Sequence, residues 1–490
     1  MRDIWRSRAV SVAALIVLTV VTYWPVLHAG FVFDDSFLIT HNPLIQASDG
    51  LYRFWFTTQA PDYYPLTWSL WWFEWRTFGN EPFGYHLVNV LLHAVNALLV
   101  WQVLERLRIP GSWVAALIFA VHPVNVATVA WISEQKNTLS MLFFLTAILL
   151  YLRYEQENRR LWYAESLASF ALALLAKTAV VMLPIILLGC VWWQRGRVTS
   201  KDWRRSAPFF ALSTVAALTT IWFQSHRAME GLAWGLGSFA TRLAIAGWVP
   251  WFYLYKAVLP FHLTLMYPSW RINPHDWISY GPGVLLVICF ALFWKNRNGW
   301  GRPLLLGLGY FVIMLFPVLG FFDQGFYVFS MVADHWQYPA IVGVIAMVVV
   351  IWKWTGNRLS ERSRHWGAAT VTAVILALGA STWLRCCVYK SDESLWRDNV
   401  IKNPRAWIAH NNLGTALRAK GDLPGAIAQF EEAIRIKPDS IGAHFNLAVA
   451  LERTGNVAPA IEHYERVLQL DPSVRIVQER IARLRSMPNQ

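Results

Sequence analysis

Eleven apolar windows punctuate the chain, at residues 9–27, 87–104, 112–131, 138–152, 161–176, 178–193, 207–223, 281–294, 303–320, 338–352 and 366–384. Each is close to the ~20 residues that carry a helix across the ~30 Å hydrocarbon core of a bilayer. Backbone inside lipid must satisfy its own N–H and C=O groups, which a helix does within one segment. The pattern therefore predicts an all-α, polytopic transmembrane bundle over residues 1–385. Composition agrees, since 56% of the 490 residues are apolar and only 15% are charged, a balance that makes lipid the main solvent. The formal charge of +13 does not indicate a nucleic-acid partner, because the basic residues sit in short runs between apolar windows. Cys190 and Cys289 lie in apolar windows and Cys386 and Cys387 are adjacent, so no disulfide framework is expected.

The first window follows Arg2, Arg6 and Arg8 without a small-residue cleavage site and a soluble domain behind it, and reads as a retained span. The segment Leu243–Tyr255 has thirteen residues with Pro250 inside, which is short for a span and suits an interfacial or re-entrant helix. With eleven spans, twenty of the 43 Lys and Arg residues fall in loops on the side of the N-terminus and eight in the longer loops opposite. By the positive-inside rule the N-terminus is then cytoplasmic. An odd span count places the C-terminal tail and the long loop 28–86 outside. The expected location is the cytoplasmic (inner) membrane.

From Trp407 the chain repeats with a period of 34: Leu413, Gly414, Ala426, Phe430 and Pro438, then Leu447, Ala448, Ala460, Tyr464 and Pro472. Those offsets are tetratricopeptide-repeat (TPR) offsets. Small residues let two antiparallel helices approach, large ones fill the space, and proline closes each unit. The expected TPR α-solenoid covers residues 405–490, with full repeats at 407–440 and 441–474, a charged capping helix after them, and a degenerate half-repeat or linker at 386–404. Such surfaces bind peptides or proteins, so a protein partner is expected there.

Three groups of residues could carry chemistry. In FVFDDSFLITHNPLI, Asp34 and Asp35 stand just beyond the first window. Adjacent carboxylates at an apolar boundary can raise one another's pKa, giving a proton acceptor for an alcohol, or can hold a divalent cation. An Asx-turn or helix cap is the structural alternative. HPVNVATVAWISEQKNTLS offers His122, Glu134, Lys136 and Asn137, and QGFYVFSMVADHWQYP offers Asp334 and His335. Under the charge-based topology all three groups share one side of the membrane. His86, Asn89, His93 and Asn96 fall on one helical face, where polar groups usually bond a neighbouring helix. The loop 28–86 is acidic and rich in Trp and Tyr, fit to lie at the headgroup layer.

The succession FVFDDSFLITHNPLI, FGYHLVNVLLHAVNALLVW, HPVNVATVAWISEQKNTLSMLF and MVADHWQYP, with a tail opening AHNNLG, resembles the bacterial TPR glycosyltransferases of the GT-C superfold. Their relatives include the transmembrane and tetratricopeptide-repeat O-mannosyltransferases. The resemblance implies transfer of a sugar from a polyprenyl-phosphate carrier to an extracytoplasmic protein or glycan acceptor. It implies Asp35 at the reaction centre with Asp34 beside it, and a donor phosphate held among Lys136, His335, Asp334 and His122. Two positions depart from the pattern: Ala127, where many relatives are acidic, and His335, where many carry Arg. No nucleotide site or resident cofactor is expected beyond a divalent cation at Asp34 and Asp35. A non-catalytic membrane scaffold that displays the TPR tail is the rival reading.

Overall fold

A computed structural model describes residues 2–228, 235–356 and 361–486, which leaves Arg358 of the basic loops and the last four residues outside the described chain. Among the described residues, helix is the only regular structure. The helices that matter below are α1 (Arg2–Thr22), α2 (Pro65–Phe78), α3 (Pro82–Arg106), α4 (Ser112–Ala120), α5 (Gln135–Glu157), α6 (Arg160–Ala176), α7 (Leu183–Arg195), α8 (Ser200–Phe223), α9 (Phe239–Val258), α10 (Gly281–Lys295), α11 (Gly301–Leu315), α12 (Ile341–Gly356) and α13 (Glu361–Val388). The tail adds α14 (Asp392–Lys402), α15 (Trp407–Ala419), α16 (Leu423–Ile436), α17 (Ile441–Arg453), α18 (Val457–Leu470) and α19 (Arg475–Ser486).

Among the described residues, seven helices are long and apolar enough to cross a membrane, or eight if one bent pair counts as a span. The count of eleven is not reproduced by that measure. Arg8–Thr22 and Ile341–Gly356 are apolar but short, and α6 has 17 residues. The window 112–131 breaks by 46° between Ser112–Ala120 and Pro123–Val129, where Pro123 cannot continue the ladder of the preceding helix. Conversely, α9 is a continuous helix of 20 residues that runs through Pro250, longer than the thirteen-residue segment read from the sequence.

The polar face of α3 joins helices together. His86, Asn89, His93 and Asn96 are all fully buried. Asn89 donates to the carbonyls of Thr128 and Val129 at 3.0 and 2.8 Å and accepts from Thr138 Oγ1 at 2.6 Å. His93 Nε2 donates to Ala120 O at 3.1 Å, which leaves Nδ1 to accept from Tyr338 Oη at 2.8 Å. The Asn89 bonds tie the short helical turns at 126–134 and the start of α5 to α3.

The loop 28–86 is a packed aromatic layer rather than a flat surface strip. Pro65 starts α2 at a position that needs no N–H, and Gly79 ends it at φ +58°, conformations suited to those residues. The buried side of α2 places Trp68 and Trp71 against Ile39, Ile45, Phe54, Tyr85 and Ile132. Gln135 locks this layer to α5, accepting from Trp71 Nε1 at 2.8 Å and donating to buried Glu74 and to Tyr85 O, both at 2.9 Å. Tyr52, Phe56 and Phe73 remain exposed, as expected for a headgroup-facing rim.

The chain divides into two compact units, and the tail unit comprises Val388–Gln490 together with Thr264–Ser269. Its four regular repeat helices, α15 to α18, bury Leu413, Gly414, Ala426, Phe430, Leu447, Ala448, Ala460 and Tyr464. A Cβ on Gly414 would lie 2.6 Å from the Phe430 ring, so the small residue is a packing requirement. Trp396 of α14 is buried at the repeat position of Phe430. Asn399, at the position of Ala433, donates to Thr264 Oγ1 at 2.5 Å, and Asn403 donates to Met266 O at 3.2 Å. Residues 264–269 thus lie where a first repeat helix would pack. The last helix, α19, buries Val477, Ile481 and Leu484 and pairs Arg480 and Arg483 with Glu452.

Candidate functional site

Asp35 is fully buried. The backbone reaches it through Phe33, whose φ of 54° is a left-handed conformation costly for a bulky residue. That twist lets Val32 N donate to Asp35 Oδ2 at 2.9 Å. From 98 residues away, Ser133 donates its N–H to Oδ1 at 2.7 Å and its hydroxyl to the same oxygen. Both carboxyl oxygens are therefore occupied from within the protein. Burial, and next the neighbouring Asp34, push the Asp35 carboxyl up to about 8 against the pull of those three donors.

Asp34 is half-buried and its Oδ1 accepts from the indole N–H of Trp131 at 2.9 Å. Burial raises its carboxyl to about 6, opposed by the Lys136 ammonium. The two acids therefore differ in access: Asp34 keeps part of its surface exposed and Asp35 does not.

Beside them lies a cationic cluster built on one carboxylate. Glu134 Oε1 meets Lys136 Nζ at 3.0 Å, and Oε2 meets Lys177 Nζ at 3.1 Å and accepts from the Asn137 amide. Two ammoniums share one carboxylate, and the carboxyls of Asp34 and Asp62 lie close enough to act on the Lys136 ammonium as well. Lys177 stands between α6 and α7. It carries no local motif, and only the fold brings it to Glu134. Burial lowers its ammonium to about 8.

The other predicted phosphate ligands are placed differently. His122 Nε2 donates to Ala257 O at 3.0 Å and Nδ1 accepts from Val124 N at 3.3 Å, so both ring nitrogens serve the bend after α4. His335 stands 3.9 Å from Glu134 Oε1 amid Trp131, Phe326 and Trp336, each with its ring centroid 5.4 to 5.6 Å away. Burial drives its imidazolium down to about 3, so the ring is neutral and cannot supply the charge expected of it. Asp334 is buried beside it.

Leu38, Pro61, Asp62, Tyr64, Thr67, Trp68, Trp71 and Lys136 line a small cleft. Asp62 accepts from Gln224 Nε2 at 2.6 Å, and burial raises its carboxyl. The cleft joins an ammonium, a carboxyl and aromatic faces and encloses about 20 Å³, room for about one water molecule. As a cation site the aspartate pair fits poorly. The Asp35 oxygens already accept three bonds, and among the described residues no three His, Cys, Asp or Glu side chains converge at ligand spacing.

With this geometry in hand, comparison with known proteins is informative. The family described as dolichyl-phosphate-mannose-protein mannosyltransferase matches residues 64–223, a stretch that holds Glu134, Lys136 and Lys177. Tetratricopeptide repeats match residues 414–455 and 441–474. A protein O-mannosyl-transferase of Caenorhabditis elegans is 22% identical over 86% of this chain and 62% of its own length. Protein O-mannosyl-transferase Tmtc3 of Drosophila melanogaster is 25% identical over 87% of this chain and 55% of its own. A human counterpart is 24% identical over 86% of this chain and 50% of its own. The chain thus spans about half to three-fifths of the length of these relatives.

Proposed function

We propose that this chain, whose relatives are protein O-mannosyl-transferases, is a membrane glycosyltransferase that moves a sugar from a polyprenyl-phosphate carrier to a protein hydroxyl on the extracytoplasmic side. The observation that carries the reading is the pairing of a half-buried carboxylate, Asp34, with the Lys136–Glu134–Lys177 cluster, in which two ammoniums share one carboxylate. Asp34 takes the proton of the acceptor hydroxyl as its oxygen forms a bond to the anomeric carbon. The bond from that carbon to the carrier phosphate breaks on the opposite face, and the phosphate leaves with the bonding electrons. The sugar is inverted, and the ammoniums of Lys136 and Lys177 stabilise the departing phosphate.

Asp35 acts one layer behind. Held by Val32 and Ser133, it fixes the strained turn that presents Asp34. This divides the roles differently from the resemblance, which implies Asp35 at the reaction centre: a fully buried acid whose oxygens already accept three bonds is closed to a substrate hydroxyl. A lipid-borne donor suits the place, because its chain can stay in the bilayer while its phosphate reaches the ends of α5 and α7. The TPR tail, on the same side of the membrane in this reading, holds the acceptor protein.

The test is transfer itself. Full-length protein reconstituted in liposomes with a labelled polyprenyl-phosphate hexose and a Ser/Thr-rich polypeptide should yield labelled polypeptide. Label transferred only from a sugar nucleotide would overturn the donor assignment. Periplasm-active and cytoplasm-active reporters fused behind the tail check its side, and activity of the cytoplasmic reporter alone would refute the orientation.

A further inference from the structure

One cavity of the membrane unit is lined by neither Asp34 nor Asp35. It is a groove of about 480 Å³ between α3, α5, α7, α10, α11 and α12, and its lining is almost wholly apolar. Along α11 it runs from Pro303 to Ile313, ten residues and hence ~15 Å at the helical rise. That is about one leaflet of a ~30 Å hydrocarbon core. Glycine opens its floor, for at Gly189 a Cβ would meet no heavy atom within 4 Å.

One end of this groove differs from the rest. Trp192, Trp203 and Trp294 line it there, and the last two are more than half exposed, the placement of indoles at a membrane surface. Arg302 closes the same end. Its Nη2 donates to the carbonyls of Trp192 and Trp193 at 3.3 and 2.5 Å, and its Nε is buried with no partner among the described residues. Arg197, Lys201, Lys295 and Arg297 adjoin the lining residues Val198, Trp203 and Trp294 in sequence. None of the four has an ion-pair partner among the described residues. The opposite end, at Ile185, Ile313 and Val342, has aliphatic walls only.

The cationic end lies far from the reaction centre, whichever way the protein faces. Lys177 immediately precedes the apolar helix Thr178–Arg195, and the cationic mouth is at its other end, ~27 Å away by helical rise. His335 likewise precedes α12, whose far end points toward the mouth. A carrier whose phosphate met Lys136 and Lys177 would not place a phosphate here.

We infer that this groove is a binding site for an anionic phospholipid of the leaflet opposite the reaction centre, one acyl chain filling the groove and the headgroup phosphate facing Arg302 and its basic neighbours. An apolar slot one leaflet long, ringed at one end by indoles and cations, matches a lipid in shape and in charge. The bound chain would also wedge α10, the most lipid-exposed wall of the groove, against α7 and α11.

The test measures lipid, not transfer, so it stands or falls apart from the enzymatic proposal. Full-length protein is purified in mild detergent, and co-purified lipids are quantified per chain by mass spectrometry. Wild type should retain about one anionic phospholipid per chain, enriched over the source membrane, and Gly189→Ala should retain it too. Gly189→Phe, which fills the slot, should lose it, and the double variant Lys295→Gln/Arg297→Gln should retain about tenfold less while helix packing is untouched. Thermal melting identifies any variant that fails to fold, and the charge variant then decides. Equal retention in wild type and both variants, retention of zwitterionic lipid alone, or a polyprenyl phosphate in place of the phospholipid would each overturn the inference.

Discussion

Replacing Asp34 by Asn separates the two acids. The Asn Oδ1 can still accept from Trp131 Nε1, now 2.9 Å from Asp34, so the local bond survives and stability should change by less than about 1 kcal/mol. What disappears is the capacity to take a proton. With its carboxyl at about 6, wild-type Asp34 is about 90% ionised at pH 7 and is a competent base there. General-base catalysis contributes typically ~10²–10⁴ in rate, or ~3–5 kcal/mol of barrier. The sign of the pH dependence follows: wild-type transfer should level off above pH 6 and fall about tenfold per unit below it, and the Asn variant should lack that limb. Transfer from a polyprenyl-phosphate hexose in nanodiscs, followed from pH 5 to pH 8 beside donor affinity and melting temperature, gives all three readouts. Parental rates in the folded variant, or lost donor binding with an unchanged chemical step, would refute the role given to Asp34.

Asp35→Asn should act on stability instead. The folded carboxyl, at about 8, lies above its ordinary 3.8, so its contribution is complete below that ordinary value and is lost as pH rises toward 8. The Asn amide would face the Val32 N–H and cost about 1–3 kcal/mol. Melting temperatures should therefore show the variant weaker at pH 5 and the gap closing by pH 8.5, whereas a gap independent of pH contradicts a neutral Asp35. Glu134→Gln strands two buried ammoniums and should destabilise by ~3–5 kcal/mol, more than Lys177→Gln, as read by thermal unfolding in detergent. Gly414→Val drives a side chain into Phe430, 2.6 Å from the added Cβ, and should destabilise the tail by about 1–3 kcal/mol, visible as faster proteolysis confined to the repeats.

The fold was most legible where one periodicity dominates. A 34-residue period with glycine or alanine facing an aromatic ring admits one packing, and α15 to α18 follow it. Membrane helices were legible as apolar windows but less so as spans, because composition does not reveal where a helix bends or shortens. Pro123 breaks its window by 46°, yet Pro250 sits inside the unbroken α9. The two prolines differ in context: after His122 the chain turns and buries polar backbone against α3 and α9, whereas around Pro250 Tyr253 and Lys256 stay buried within helix. Local sequence does not encode that difference.

The site divides along the same line. Asp34 and Asp35 could be singled out because two acids at the end of an apolar run are improbable without a use. Which of them is accessible depends on Ser133, 98 residues on, whose two donors occupy the buried Asp35, whereas Asp34 stays half-buried. Lys136 is legible as a cation between apolar windows, but its partner in charge is Lys177 rather than His335. Histidine in a shell of Trp and Phe loses its proton to burial, and lysine beside a carboxylate keeps its own at neutral pH. A reading of residue types weighs His335 and Lys177 by motif, which favours the first. The fold weighs them by what surrounds each, and of the two only the ammonium tied to Glu134 is charged at neutral pH.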